Sequence, residues 1–309
     1  MGALLNRSTR VVQALRSVCV VGRLPLPQCA LALDHKYVSN VHAEIRWTGQ
    51  AWELRDLRSR NGTIVDGQRL PGVAHRLAKG ARIAFGSLEE EWELIDDAPP
   101  VPMVVPLPDG APVLFDDGMI AIPSKEDPQV TVYRSADCTW IVERPDDVAL
   151  AVVDGQTFHA IGREWLFCSP ELRTETVALE DEDTPDGRYV SNLHLTFQVS
   201  RNEEYVHLEV AHGRRSFDLG ARQHHFILLT LARRRLEDAA HGGSGEACGW
   251  LDQEEVEHDP SMNGNRLNLA VHRIRKQFGE LGVIDFGNIV QRRVGQLRVG
   301  TPNITIARE

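Results

Sequence analysis

Between Val18 and Ile95 short apolar runs alternate with turn residues, and no apolar stripe recurs at helical spacing. Residues 18–21, 42–47, 51–54, 63–65 and 91–95 read as strands, since side chains two apart share a face of a pleated sheet. Asp66-Gly67, Lys79-Gly80 and Phe85-Gly86 supply turn residues at near-regular spacing. The pattern predicts an all-β sandwich over residues 1–97.

The next segment breaks that rhythm. Residues 98–109 carry Pro99, Pro100, Pro102, Pro106 and Pro108 and read as a stiff, extended linker at a domain boundary. Residues 110–194 form a β-rich middle segment of unassigned role, with strands expected at 130–133, 139–142, 149–153 and 164–167 and an acidic loop at 180–186. From 195 to 309 the pattern changes again, from strands alone to strands followed by helices. Three antiparallel strands (195–199, 205–210, 216–219) precede a helix over 221–240 with Leu228, Leu231, Ala232 and Leu236 on one stripe. A glycine-rich loop follows, then a short helix opened by Asp252 with Glu255 as its capping-box acid and closed by Pro260. Residues 266–281 form a second amphipathic helix, burying Leu267, Val271, Ile274, Phe278 and Leu281, and 290–299 form a hairpin around Gly295.

Composition is that of soluble globular protein, with 42% hydrophobic and 25% charged residues in 309. No run approaches the ~20 apolar residues of a membrane span. Arg7, Arg10 and Arg16 interrupt the N-terminal apolar stretch, so no secretion signal is read there. Five cysteines at scattered spacings fit reduced thiols in the cytoplasm. The net charge of −10 is unevenly spread: from residue 260 eight basic residues stand against three acidic ones, a surplus of +5 that leaves −15 on the remaining 259. A basic C-terminal segment on an acidic body is an electrostatic footprint for nucleic acid.

Three small motifs recur in order: Gly22-Arg23, Ser39-Asn40-Val41-His42-Ala43, and Asp56-Leu57-Arg58-Ser59-Arg60-Asn61-Gly62-Thr63. Arginine offers a bidentate, charge-assisted contact to a phosphate. A serine hydroxyl and a neighbouring backbone N–H add donors, and an asparagine amide can clamp an extended main chain. With Leu70, Leu77, Gly80 and Phe85-Gly86, this segment resembles the forkhead-associated (FHA) domain. The resemblance implies an eleven-strand sandwich that binds phosphothreonine peptides through Arg23, Ser39, Asn40, Arg60 and Asn61, with His42 a buried framework residue. Tyr189-Val190-Ser191-Asn192-Leu193-His194 and Ile161-Gly162-Arg163 echo the first two motifs, but no Asn-Gly-Thr follows, and the echo is read as coincidence.

The segment 267–276 and the hairpin 289–298 resemble the winged-helix effector domain of OmpR-type response regulators, an α+β winged helix-turn-helix fold. That resemblance implies DNA contact by Asn265, Asn268, His272, Arg273 and Lys276 on the helix and by Arg292, Arg293 and Arg298 on the hairpin. The hairpin lacks an aromatic tip, and no receiver domain precedes it in this chain, so the input is expected from the sandwich. No P-loop, kinase signature, His-Glu-x-x-His or nucleophile elbow is present. His224 and His225 are adjacent, so on a helix they point to different faces and are not read as ligands.

The expectation is therefore a multidomain, cytoplasmic, bacterial regulator with no cofactor, no metal and no enzymatic activity. Its partners would be a phosphothreonine protein, including another copy of this chain, an upstream Ser/Thr kinase and double-stranded DNA, with no membrane. The alternative is a signalling scaffold that binds phosphorylated partners and never touches DNA.

Overall fold

In a computed structural model of the chain, residues 1–24, 29–108, 110–145, 147–170, 187–243, 245–257 and 265–308 are described. The acidic loop at 180–186 and the helix stop at Pro260 lie outside them. The chain divides into two compact units, Met1–Met103 with Phe167–Glu175, and Val104–Leu166 with Thr176–Glu309.

The first unit holds β1 (Ala3–Asn6), β2 (Val12–Ala14), β3 (Val18–Gly22), β4 (Cys29–Ala32), β5 (Ala43–Trp47), β6 (Trp52–Asp56), β7 (Thr63–Val65), β8 (Gln68–Arg69), β9 (His75–Leu77), β10 (Arg82–Phe85) and β11 (Glu91–Asp96). They form two sheets, β2-β1-β11-β10-β7-β8 and β4-β3-β5-β6-β9. Leu4, Val21, Ile45, Trp52, Leu54, Ile83 and Leu94 fill one core. The arginine-bearing N-terminus supplies the first two strands: Leu4 and Leu15 turn inward, while Arg7 and Arg10 fall in and around the connecting turn. The loops after β3, before β5 and before β7 gather at one end, the usual place for function on a rigid sandwich.

Next along the chain come β12 (Met103–Leu107), β13 (Val113–Leu114), β14 (Met119–Pro123), β15 (Pro128–Arg134), β16 (Trp140–Glu143), β17 (Leu150–Val152), β18 (Thr157–Ala160) and β19 (Arg163–Cys168). These make two four-stranded sheets, β13-β12-β19-β18 and β14-β15-β16-β17. Then come β20 (His194–Val199), β21 (Val206–His212), β22 (Arg215–Ala221), α1 (His225–Ala240), β23 (Leu251–Asp252), α2 (Gln253–Glu257), α3 (Asn265–Glu280), β24 (Val290–Arg293), β25 (Gln296–Val299) and β26 (Ile304–Arg308). Strand β26 adds parallel to β20 beside the antiparallel β20-β21-β22, and β23-β25-β24 form a small second sheet.

Four expectations need correction. The proline-rich segment 98–109 contains β12, with Met103 and Val104 buried, because the apolar run Met103-Val104-Val105 pairs into a sheet between its prolines. The middle segment is not a separate compact unit, since Met119 and Tyr133 share one core with Phe197, Leu228, Ile274 and Phe278. Helix α1 starts at His225 rather than 221, because Arg215–Ala221 continues as a strand paired with β21. His224 precedes that helix, so helical spacing does not separate it from His225, and both rings meet Gln277 Oε1, at 2.7 and 3.0 Å. The second Ser-Asn-x-His motif leads into β20, whereas Gly162-Arg163 lie at the β18–β19 turn, so the echo builds no second notch.

Candidate functional site

Arg23, Ser39, Asn40, Arg60 and Asn61 come from three loops of the first unit and are joined by hydrogen bonds. Arg23 Nη2 donates to Asn40 Oδ1 at 3.0 Å, and Arg23 N donates to Ser39 O at 2.9 Å. Arg60 N donates to Ser39 Oγ at 3.0 Å, and Asn61 Nδ2 donates to Tyr37 O at 2.8 Å. Arg23, Asn40 and Arg60 are exposed, so two cations face solvent on one rim. Gly22 ends β3 where the Asn40 carbonyl presses on it, and a Cβ there would fall inside contact distance of that oxygen. This close approach sets Arg23 beside Asn40.

A buried frame holds the loops. His42 accepts from Ser39 N at Nδ1 (3.1 Å), which leaves the proton on Nε2, 3.2 Å from Gly62 O. Burial pushes the His42 imidazole down, so it stays neutral. Asp56 accepts from Ser59 Oγ at 2.6 Å and from Thr63 Oγ1 at 2.7 Å, and Ser59 Oγ accepts from Gly62 N at 2.9 Å. Burial raises the Asp56 carboxyl, but the hydrogen bonds from Ser59 and Thr63 outweigh it and hold it below the usual range. Gly62 has φ +81°, a left-handed turn that a side chain would strain, and it directs Asn61 toward the Tyr37 loop. His42, Asp56, Ser59 and Thr63 therefore act as framework, and the rim residues are left to meet a ligand. Of this frame, Asp56 and Ser59 were visible only as motif letters, and their roles emerge from the contacts.

The C-terminal candidates are scattered in exposure. Asn265, Arg273 and Arg293 are exposed. His272, expected off the buried stripe, is only 4% exposed. Lys276 pairs with Asp117 Oδ2 at 2.6 Å. Arg292 donates to Asn268 Oδ1 at 2.9 Å and lies 3.5 Å from Glu143 Oε1. Arg298 donates to Gln291 Oε1 at 2.5 Å, and both it and Arg293 lie over the Trp250 ring. Arg275 is 1% exposed and makes a two-pronged pair with Glu143, at 2.7 and 2.9 Å, plus a 2.7 Å bond to Val290 O. Burial alone would push Glu143 up; the charge and hydrogen bonds of Arg275, with Arg292, hold it below the usual carboxylate range. The part of the polar face of α3 that carries His272 and Arg275 is thus buried, with Arg275 bonded to β15 and β16, which helical spacing within the segment could not show.

Two buried histidines, His225 and His272, should make this unit less stable in acid. Burial pushes His225 and His272 down to about 4; Arg275 and Lys125 add to the shift of His272, against Asp117. Each is neutral when folded and titrates near 6.5 when unfolded, so unfolding takes up protons between those values. Stability is full above about pH 6.5 and falls by up to about 1.4 kcal/mol per pH unit per histidine as pH drops toward 4. Urea midpoints measured between pH 7 and 5 should show this slope, and His272→Gln should reduce it. A midpoint unchanged across that range contradicts the burial assignment.

Among the described residues no helix is long and apolar enough to cross a membrane, and no group of three or more His, Cys, Asp or Glu is placed to hold a metal ion.

Comparison with known proteins agrees with the loop geometry of the first unit. The sequence model of the FHA domain family matches residues 19–86. Protein FraH of Nostoc sp. is 44% identical over 54 residues, which cover 17% of this chain and 19% of FraH. The chain therefore spans a small fraction of that relative's length. Among solved structures, Mycobacterium tuberculosis EmbR in complex with a low-affinity phosphopeptide is 28% identical, with a TM-score of 0.29, over 32% of this chain and 25% of EmbR. An FHA domain from work on phosphothreonine-dependent FHA interactions is 30% identical, with a TM-score of 0.26, over 30% of this chain and 92% of that one. These overlaps are confined to about a third of the chain, and the assignment rests on the family match together with the Arg23–Asn40–Ser39–Arg60–Asn61 geometry. Residues 19–86 of this chain are an FHA domain.

Proposed function

We propose that this protein is a phosphothreonine-responsive transcriptional regulator. Its FHA domain docks a phosphothreonine peptide, and residues 195–309 act as a winged-helix DNA-binding domain. The observation that carries the first half is the convergence of Arg23, Ser39, Asn40, Arg60 and Asn61 on one rim. A phosphothreonine brings nearly two negative charges and three acceptor oxygens. Arg23 and Arg60 supply the charge, Ser39 and Asn40 the short donors, and Asn61 the clamp on the peptide main chain. The peptide comes from a partner, including another copy of this chain, phosphorylated by an upstream Ser/Thr kinase. The protein itself is a binding protein of the bacterial cytoplasm rather than an enzyme.

The second half is supported by the order of elements: the strands β20, β21 and β22, then α1, α2 and α3, then the β24–β25 hairpin, with β26 closing the first sheet. The basic surplus of the last fifty residues lies on α3 and this hairpin. A duplex of about 30 base pairs, titrated at rising salt, should lose about 0.9 log units of affinity per log unit of salt for each phosphate contacted. A flat salt response rules out groove binding.

A second reading is a phosphopeptide-binding scaffold without DNA. The inward packing of His272, Arg275 and Arg292 favours it. Anisotropy titrations with phosphothreonine peptides and with duplex DNA, each alone and together, separate the two readings.

A further inference from the structure

Helix α3 is covered on two sides. Leu267, Val271, Ile274 and Phe278 enter the core beneath it. On the side that carries Asn268, His272, Arg275 and Lys276, His272 and Arg275 are buried and Lys276 is partly exposed. Against it stand Thr131 of β15, Glu143 of β16 and Asp117 of the turn before β14. Tyr133 of β15 stacks under the Arg275 guanidinium at 5.0 Å and donates to Glu143 Oε2 at 3.2 Å. The space left among Thr131, Glu143, Asn268, His272, Arg275 and Arg292 is a cavity of about 10 Å³, barely the room of one water.

A helix reads bases only when it enters a major groove about 12 Å wide. With β15 and β16 bonded to Arg275, this side of α3 is closed to a groove, while Asn265 and Arg273 stay exposed. Glu143 takes the Arg275 fork in the planar, two-pronged way a phosphate does and also holds Arg292 of the hairpin. Asp117 takes Lys276.

We propose that β14–β17 and the turn before them form an intramolecular cap on α3, in which Glu143 and Asp117 occupy the cations that would otherwise meet DNA phosphates. This rests on the DNA-binding reading above and adds to it a resting state that is closed to DNA. Cap and duplex compete for the same helix, so whatever lifts the cap raises DNA affinity by the same factor by which DNA favours lifting it. The Lys276–Asp117 pair lies at the partly exposed rim and is the weak edge. The Arg275–Glu143 pair is interior and is the latch.

The test is fluorescence anisotropy of a labelled mixed-sequence duplex of about 30 base pairs at low salt, where phosphate contacts are strongest. The full chain is compared with Glu143→Gln, Asp117→Asn and the charge-matched Glu204→Gln, each checked for cooperative melting. Glu143→Gln is expected to bind about tenfold more tightly and Asp117→Asn about fivefold, within the usual range of coupling between sites, with Glu204→Gln unchanged. Adding Arg273→Ala to the released variant should remove the gain. Equal, measurable affinity in all folded variants overturns the cap and leaves the DNA reading standing. Absence of binding in all of them overturns both. A gain that survives Arg273→Ala overturns the route through α3. If Glu143→Gln does not fold, Asp117→Asn, which leaves the buried network intact, decides alone.

Discussion

Replacing Arg23 with alanine is expected to weaken phosphothreonine-peptide binding about 100-fold while leaving the sandwich folded. Truncating one member of a hydrogen-bonded charge pair at an interface costs about 2–5 kcal/mol, and every 1.4 kcal/mol is a factor of ten. The side chain is exposed and donates to Asn40 Oδ1, so its loss opens no cavity. Arg23→Lys should recover only part of the affinity, because an ammonium keeps the charge and loses the fork. Calorimetry with matched phosphorylated and unphosphorylated peptides, alongside thermal melts, measures both arms. Affinity retained in a folded Arg23→Ala protein would place the phosphate elsewhere.

Replacing Glu143 with glutamine is expected to cost the second unit about 3–5 kcal/mol, because Arg275 is then buried without its counter-charge. Arg275 makes hydrogen bonds to Glu143, Val290 and Thr131, and Glu143 also accepts from Tyr133, so one substitution disturbs strands and helix together. The loss should appear as faster hydrogen exchange of the α3 and β16 amides, with the FHA amides unchanged. The paired replacement Glu143→Leu with Arg275→Met should cost less than Glu143→Gln alone, since Arg275 is then not left buried without its counter-charge. Acid should act in the same direction. The Glu143 carboxyl is held below its usual range, so its contribution is present above about pH 4.5 and fades as pH falls through the lower, folded value. Unchanged exchange in Glu143→Gln would show that the pair holds nothing together.

The FHA sandwich and its rim were legible in the sequence. Strands such as Thr63–Val65 announced themselves by alternation, and Gly22-Arg23, Ser39-Asn40 and Ser59-Arg60-Asn61-Gly62 by the chemistry of a dianion. Less visible were strands of two or three residues, such as β8 and β9, too short to alternate, and β1 and β2 among the N-terminal arginines. Strand β12 was hidden by proline count, although Met103 and Val104 are buried.

What the chain determines by itself is local: alternation, helix stripes, and a set of arginine, serine and asparagine residues whose members sit on adjacent loops of one sandwich. Those loops are short and anchored by paired strands, so once the strands form the side chains have little freedom in where they meet. Only the tertiary structure decided the fate of α3. Asn268, His272, Arg275 and Lys276 have the spacing of a solvent face, and nothing within 265–280 distinguishes solvent from a carboxylate more than a hundred residues upstream. A buried ion pair is made by two distant segments together, and neither segment carries a local signature of its partner.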